Sequence, residues 1–196
     1  MAALDQLVEL SSGHRILGIA GAPGAGKSTL AAALAERVHG VVLPMDGFHL
    51  PQARLVELGR RDRMGAPDTF DIDGFVQVLR DLHVSGGPVF APGFDRETEE
   101  PVPDAIAIQP EVPLVVVEGN YLLLSTGGWE RVTPELDVTV FLELERSIRQ
   151  QRLIERHVRF GKSREDATAW ALGTDERNAL LIEATASRAD HVLRVD

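Results

Sequence analysis

The 196-residue sequence predicts an α/β fold, a three-layer sandwich in which a mainly parallel β-sheet is flanked by helices. Short apolar runs of strand length alternate with longer segments of helical periodicity. A glycine-rich turn joins the first apolar run to the first helix, as expected where a strand is followed by a crossover helix. The length and the 44% hydrophobic content fit one domain over residues 1–196.

The elements follow in an order typical of a parallel sheet. The strands are predicted at residues 15–20, 41–45, 114–117, 138–142 and 191–195, and the helices at 27–38, 71–83, 146–160 and 164–186. Residues 88–110 are different, because they are rich in proline and acidic side chains. We interpret this segment as an irregular excursion or a hairpin on the surface.

The glycine-rich turn has the pattern of a phosphate-binding P-loop, Gly21-Ala22-Pro23-Gly24-Ala25-Gly26-Lys27-Ser28. Glycines let the backbone wrap a phosphate without Cβ clashes, and the following helix N-terminus adds partial positive charge. We expect Lys27 to reach the β- and γ-phosphates and Ser28 to coordinate Mg²⁺, with Thr29 in the same nucleotide site. A purely structural turn is the alternative. ATP is expected rather than GTP, because no Asn-Lys-x-Asp guanine motif occurs.

Two carboxylates directly follow predicted strands, Asp46 after the second strand and Glu118 after the run at 114–117. Ligands of parallel sheets bind outside the carboxyl ends of the strands, so both side chains are expected in one site. Asp46 is placed to take the proton of an acceptor hydroxyl, and Glu118 to bind or orient Mg²⁺. The alternatives are a turn-forming Asp-Gly pair and a strand-terminal acid that faces solvent.

Four arginines on the predicted helix 146–160 share an arc of roughly 80° at about 100° per residue. They are Arg149, Arg152, Arg156 and Arg159. Guanidinium groups bind phosphate oxygens and offset charge in a transition state, so this face indicates a mobile lid over residues 145–163. The alternative is a solvated helix face paired with acidic neighbours, namely Glu143, Glu145 and Glu155.

The composition excludes several classes of function. A net charge of -10 opposes binding to a nucleic-acid backbone. The chain has no cysteine, which excludes disulfides, thiolate nucleophiles and cysteine-based zinc sites. Residues 1–9 lack the apolar core of a signal peptide, and no apolar run is long enough to span a membrane. A cytoplasmic protein without membrane contact is therefore expected.

Several segments resemble the phosphoribulokinase/uridine kinase superfamily, which includes bacterial P-loop pantothenate kinases. The resemblance is closest to small nucleoside/nucleotide kinase-like or fructose-transport-system kinases. The matching segments are Gly18–Thr29, Met45–His49, Gly65–Asp71, Ala91–Arg96, Val117–Tyr121 and Arg152–Arg159. Together they extend over nearly the whole chain.

The resemblance implies a role for each matching residue. Asp46 matches the catalytic base and Glu118 the acid near Mg²⁺, while Lys27 stabilises the transferred phosphate. Arg152 is expected to assist the transfer, and Arg156 and Arg159 to contact ATP. The acceptor pocket is expected to include Asp46, His49, Phe70, Asp71, Phe94 and Arg96. Core packing is the alternative for the two phenylalanines, and a structural role is the alternative for the histidine.

The expected function is therefore an ATP- and Mg²⁺-dependent kinase that acts on a small-molecule acceptor. The resemblance implies a dimer or a tetramer, and a homodimer is one of these two alternatives. The acceptor stays open between a sugar, a nucleoside and a pantothenate-like alcohol. The chain is shorter than pantothenate kinases, and it has Asp46-Gly47-Phe48-His49 in place of the uridine kinase motif. Arg60, Arg61 and Arg63 either bind an anionic acceptor or form a solvated loop. An accessory ATPase without a small acceptor is the alternative function.

Overall fold

The computed structural model describes residues 2–195 and contains a five-stranded parallel sheet beside a two-stranded hairpin. The strands are β1 (Ile16–Gly21), β2 (Val41–Pro44), β3 (Val89–Asp95), β4 (Glu100–Ile108), β5 (Val115–Gly119), β6 (Val138–Leu144) and β7 (His191–Val195). The helices are α1 (Ala3–Ser11), α2 (Lys27–Val38), α3 (Gln52–Glu57), α4 (Ile72–Val84), α5 (Arg146–Arg159), α6 (Arg164–Trp170) and α7 (Glu176–Glu183). The strand order of the main sheet is β2-β5-β1-β6-β7.

Strand β1 is the centre of the main sheet, where it pairs in parallel with β5 on one side and β6 on the other. All residues of β1 are buried, because the sheet is covered on both faces. In this register Ala20 lies opposite Gly119, and Pro44 lies opposite Glu118. The carboxyl ends of three strands therefore meet at one edge of the sheet, where the P-loop begins.

Alternate residues of β1 point into two separate apolar layers. On one face, Leu17 and Ile19 pack in the same cluster as Leu7 of α1 and Leu34 of α2. On the other face, Ile16 and Ala20 pack with side chains of α4, among them Phe75, Leu79 and Leu82. These two layers confirm the predicted three-layer α/β fold with a mainly parallel sheet.

The segment at 88–110 forms an antiparallel hairpin of β3 and β4, in which Val89 pairs with Ile108. A bulge between Ala91 and Gly93 bends the hairpin. Its inner side packs against the turn that follows β2, since Ala91 and Ile108 are buried in the same cluster as Phe48. The hairpin is therefore attached to the edge of the site rather than to the main sheet.

The single helix predicted at 164–186 is divided in the structure. Helix α6 passes through a π-helical turn at Ala171–Asp175 before α7 begins. Gly173 lies inside this turn. Glycine is a weak helix former, and it tolerates the hydrogen-bonding pattern of a π-helical turn, which is wider than that of an α-helix. The short helices α1 and α3 were not predicted. Among residues 2–195, no helix has both the length and the apolar character needed to span a bilayer.

Candidate active site

A cleft of about 1090 Å³ opens at the carboxyl ends of β1, β2 and β5. The P-loop forms one wall, together with Asp46 and Glu118 at the ends of neighbouring strands. The opposite wall comes from α5 and from the segment around α7. The residues from which a P-loop kinase site was predicted thus converge on one cavity, although they are distant in sequence.

The backbone of the P-loop requires glycine at two positions. Gly24 and Gly26 have φ of 84° and 95°, in the left-handed region that disfavours other residues. A Cβ on Gly24 would lie 2.9 Å from Leu153 and 3.0 Å from the carbonyl oxygen of Arg149, so α5 packs directly on the loop. The loop leads into the N-terminus of α2, a geometry that suits a phosphate group.

The ammonium group of Lys27 is buried at the centre of the cleft. Its Nζ donates hydrogen bonds to Asn120 Oδ1 at 2.7 Å and to the carbonyl oxygen of Ala22 at 3.2 Å. Burial lowers the pKa of Lys27 to about 8, and nearby Arg156 lowers it further, against the opposing effect of the two cleft carboxylates. Sequence reasoning assigned no role to Asn120, although its position two residues beyond Glu118 was a usable signal.

Ser28 and Glu118 form the part of the cleft that fits a divalent cation. The Ser28 hydroxyl donates to Glu118 Oε1 at 2.8 Å. Burial raises the pKa of Glu118, and the charge of Lys27 partly opposes this shift. One hydroxyl and one carboxylate match the oxygen ligands that Mg²⁺ uses together with phosphate and water. Within residues 2–195, no cluster of three His, Asp or Glu side chains offers another metal site.

Asp46 lies in the turn after β2, and Arg96 at the tip of the hairpin contacts it. Arg96 Nη2 and Asp46 Oδ2 are 3.2 Å apart. The hairpin approaches so closely that a Cβ on Gly47 would overlap the carbonyl oxygen of Pro92. Glycine after Asp46 is therefore required by the packing of the hairpin, which in turn brings Arg96 to the carboxylate.

The three predicted aromatic residues of the acceptor pocket pack together behind Asp46. The His49 ring lies 4.0 Å from the Phe70 ring and 4.8 Å from the Phe94 ring, measured between centroids. His49 Nδ1 lies 2.8 Å from the carbonyl oxygen of Asp46, and burial lowers the pKa of the imidazole. None of the three lines the cleft, so a direct contact with the acceptor stays a prediction.

Other polar residues singled out from the sequence have partners outside the cleft. The carboxylate of Asp71 accepts the backbone N–H of Gly74 and caps α4. The three arginines after α3 form ion pairs within their loop and with the hairpin: Arg60 and Arg63 with Asp68, and Arg61 with Glu99. This arrangement agrees with a surface loop rather than a site for an anionic acceptor.

The four arginines of α5 do not share one environment. Arg149 is 1% exposed and donates to Glu176 Oε2 at 2.8 Å, which ties α5 to α7. Arg152, Arg156 and Arg159 line the cleft. The prediction that Arg149 belongs to the basic face at the cleft is therefore wrong, because the packing of α5 against α7 buries that part of the helix.

Two of the three proposed acidic partners of α5 are also placed differently, whereas Glu155 lines the cleft together with the arginines. Glu143 pairs with Arg194 of β7 at 2.6 Å. Glu145 caps the start of α5 by accepting the backbone N–H groups of Ser147 and Ile148. Glu143 and Glu145 therefore do not neutralise the arginines that line the cleft.

Three comparisons place this geometry among known proteins. The profile of the phosphoribulokinase/uridine kinase family matches residues 16–195. A Schizosaccharomyces pombe protein that is provisionally named a uridine kinase is 34% identical, over 91% of this chain and 82% of its own length. An ATP-dependent kinase-like protein of Aspergillus versicolor is 39% identical, over 69% of this chain and 84% of its own length. A solved structure from Silicibacter sp. TM1040, provisionally described as a fructose transport system kinase, is 36% identical. It superposes with a TM-score of 0.87 over 98% of this chain and 99% of that one.

Proposed function

The chain belongs to the phosphoribulokinase/uridine kinase family of P-loop kinases, and we propose that it transfers the γ-phosphate of ATP to a hydroxyl group of a small metabolite. The convergence of Asp46 with Lys27 and the Ser28–Glu118 pair in one cleft carries this proposal. A carboxylate at the position of Asp46 suits a base that takes the proton of an acceptor hydroxyl. The kinase names of the relatives also favour transfer over an accessory ATPase.

The P-loop side of the cleft suits the triphosphate. Backbone N–H groups of residues 24–28 would bind the phosphate oxygens, and the Lys27 ammonium would replace its bond to Asn120 with bonds to the β- and γ-phosphates. Arg152, Arg156 and Arg159 face the same cavity from α5. A smaller hollow of about 450 Å³, between the end of β6 and the start of α5, lies beside the P-loop and suits the nucleotide's base.

Ser28 and Glu118 are the proposed magnesium ligands, because their oxygens already lie in contact. A metal ion held by these two residues would supply positive charge that offsets the charge of the phosphate groups. Lys27 also affects the charge of this site. Its protonated ammonium lies beside Glu118 and favours the charged form of that carboxylate, against the effect of burial. The Lys27 ammonium contributes stabilisation that grows as negative charge moves onto the leaving oxygen.

Asp46 is the proposed base of the transfer. Its carboxylate accepts the proton of the acceptor hydroxyl, whose oxygen forms a new bond to the γ-phosphorus. The bond between that phosphorus and the β–γ bridging oxygen breaks, and ADP leaves with the electron pair. Arg96 holds the carboxylate of Asp46 at 3.2 Å and so fixes its direction toward the cleft. The proposed products are therefore ADP and a phosphate monoester.

A coupled assay of ADP release over sugars, nucleosides, pantothenate and related alcohols tests this proposal. Asp46→Asn is expected to reduce acceptor-dependent ADP release by at least about 100-fold and to leave ATP binding within about twofold. Asp62→Asn, at an exposed position outside the cleft, is the matched control and should behave as the unaltered protein. An unchanged rate of acceptor-dependent ADP release in Asp46→Asn would show that Asp46 is not the base of the transfer.

A further inference from the structure

A hydrogen bond joins the end of β5 to the P-loop lysine. Asn120 directly follows β5, and its Oδ1 accepts from Lys27 Nζ at 2.7 Å. Two residues earlier, Glu118 accepts from the Ser28 hydroxyl at 2.8 Å. Two consecutive P-loop residues are therefore bonded to two side chains at the end of one strand. The proposed transfer uses three of these four residues and leaves Asn120 without a role.

The backbone on either side of Asn120 is held by close packing. A Cβ on Gly119 would lie 2.6 Å from the Cβ of Met45, so the end of β5 lies directly against the turn after β2. Tyr121 is 1% exposed, and its hydroxyl donates to the Gly65 carbonyl oxygen at 2.6 Å. The side chain of Asn120 therefore enters the lining of the cleft from a fixed position.

The lysine also fixes the orientation of the Asn120 amide. An ammonium group only donates hydrogen bonds, so it must face Oδ1 of the amide rather than Nδ2. The other acceptor of Lys27 Nζ, the carbonyl oxygen of Ala22, is uncharged as well. Within residues 2–195 the ammonium donates to these two neutral oxygens and to no carboxylate.

Glu118 is the carboxylate that would compete for the ammonium. It accepts the Ser28 hydroxyl but forms no ion pair in the part of the chain that the structure describes. Asp46, the other carboxylate at these strand ends, is already paired with Arg96 at 3.2 Å. After burial, which lowers the pKa of Lys27, the charge of Glu118 has the largest effect on that pKa. Without the amide of Asn120, Lys27 would therefore pair with Glu118.

An ion pair between Lys27 and Glu118 would occupy two binding groups at once. The ammonium would turn away from the phosphates, and the carboxylate would lose oxygen lone pairs with which it can bind a cation. Breaking such a pair in a partly buried cavity leaves two unpaired charges, whereas leaving a neutral amide exposes none. A neutral acceptor therefore holds the lysine in place and releases it readily to ATP.

We propose that Asn120 is a positioning residue of the nucleotide site: its amide oxygen holds the Lys27 ammonium at the P-loop and apart from Glu118, and so keeps both groups available to the triphosphate and its cation. This inference rests on the proposed kinase function, of which it uses only the binding of ATP. Asn120 acts through Lys27 and takes no part in the proton transfer.

A thermodynamic cycle with Glu118 tests the proposal without metal or acceptor. Calorimetric titration in EDTA gives the Kd of ATP for Asn120→Leu, for Glu118→Gln and for the double variant. Asn120→Leu should raise this Kd about tenfold, because Lys27 must leave Glu118 before it binds phosphate. In the Glu118→Gln background the same substitution should change the Kd by less than about twofold. An equal rise in both backgrounds, or no rise in either, overturns the proposal.

Asn178→Leu is the matched control, because Asn178 also lines the cleft and has no hydrogen bond to Lys27. Its effect on the Kd of ATP should be the same with and without Glu118→Gln, since independent sites have additive effects. A dependence on Glu118 as large as that of Asn120→Leu would show that the coupling does not pass through Lys27, and would overturn the proposal.

Asn120→Asp keeps the proposal testable if Asn120→Leu does not fold. The new carboxylate should pair with Lys27, so that the urea midpoint stays the same or rises while the Kd of ATP rises at least about tenfold. A fall in both stability and affinity, as expected of a merely structural residue, overturns the proposal, and so does an unchanged affinity.

Steady-state kinetics separate this inference from the proposed transfer. With an acceptor from the ADP-release screen, Asn120→Leu should raise the KM for ATP about tenfold and leave kcat within about threefold. A loss confined to kcat overturns the positioning role. Additive effects of Asn120→Leu and Glu118→Gln, together with Asp46-dependent turnover, would refute this inference and leave the kinase function standing. The predicted coupling without any acceptor-dependent turnover would support the inference and refute the transfer alone.

Discussion

The two walls of the cleft are built in different ways. The wall at the sheet consists of the P-loop, Lys27, Ser28 and Glu118, which follow directly from the central strands β1 and β5. The far wall consists of α5, the π-helical turn and α7, which depend on one another for their position. A buried ion pair between Arg149 and Glu176 connects them.

This difference separates binding of the triphosphate, which does not depend on the acceptor, from recognition of the acceptor itself. Backbone N–H groups and one lysine can bind a triphosphate whatever receives the phosphate. The far wall and the loops beside it contribute side chains to the cleft, among them Asp175, Asn178 and Arg96. We therefore expect substitutions of Lys27, Ser28 and Glu118 to affect ATP in every assay, as should those of the α5 arginines that line the cleft. Substitutions of the Arg149–Glu176 pair should affect stability.

The largest expected effect concerns the connection of the far wall. Arg149→Met leaves the Glu176 carboxylate buried without its buried partner, which should lower the free energy of unfolding by about 3 kcal/mol. Arg146 also contacts Glu176, at 2.7 Å, but its side chain is 61% exposed. Arg146→Met should therefore reduce stability by less than about 1 kcal/mol.

Urea denaturation measures both changes. A double variant, Arg149→Met with Glu176→Met, should recover most of the loss, because an apolar pair can replace a buried ion pair. Equal destabilisation by Arg149→Met and Arg146→Met would show that the buried contact does not hold the far wall.

The second prediction concerns the sheet wall. Gly24→Ala places a methyl group at positive φ and against α5, at a combined cost of roughly 3 kcal/mol shared between stability and ATP affinity. Gly59 has φ of 64° and no neighbour within 4 Å of an added Cβ, so Gly59→Ala isolates the backbone strain. Denaturation and calorimetric titration with ATP should show a clear excess effect at Gly24. Equal effects of the two substitutions would contradict the close packing of α5 on the P-loop.

The third prediction concerns pH and the charge of Lys27. The pKa of Lys27 is lowered to about 8, so the ammonium is present below that pH and is lost above it. ATP binding favours the charged form, and its Kd should therefore rise about tenfold between pH 7 and pH 9, with proton uptake on binding at pH 9. Lys27→Arg stays charged throughout and should abolish this pH dependence, even if its affinity is lower. An identical slope in both proteins would assign the titration to another group.

The smallest expected effect concerns the loop at the acceptor end. Tyr121→Phe removes the hydrogen bond to the Gly65 carbonyl, with an expected loss of about 1 kcal/mol in stability and a rise of a few fold in the acceptor KM. Thr133→Val removes a comparable bond to the Leu122 carbonyl, outside the cleft. It should cost similar stability without changing KM. If Tyr121→Phe changes the KM for ATP as much as the KM for the acceptor, ATP and the acceptor are not bound by separate parts of the cleft.

The sheet wall could be predicted from the sequence because its residues are contiguous or directly follow buried strands. The glycine pattern indicated the P-loop, and the ends of β2 and β5 indicated Asp46 and Glu118. In a parallel sheet these ends must meet at one edge, so no knowledge of tertiary packing was needed.

The far wall could not be predicted in the same way. Helical periodicity grouped Arg149 with the cleft arginines, because periodicity does not show which residues a neighbouring helix buries. Residues 164–186 have the composition of one continuous helix, and the extra residue of the π-helical turn depends on packing. The presence of Asp175 and Asn178 in the lining of the cleft therefore became visible only in three dimensions.

The strand order also has a consequence during synthesis of the chain. Strand β1 is made early, yet Ile16 pairs with Val115 and Leu17 pairs with Val138. The P-loop must therefore leave the ribosome long before either neighbour of its strand exists. During that interval an apolar strand stays unpaired, and such sequence-distant parallel pairing is slow. We expect the nascent chain to depend on protection of β1, for example by α1 and α2, until β5 has been translated.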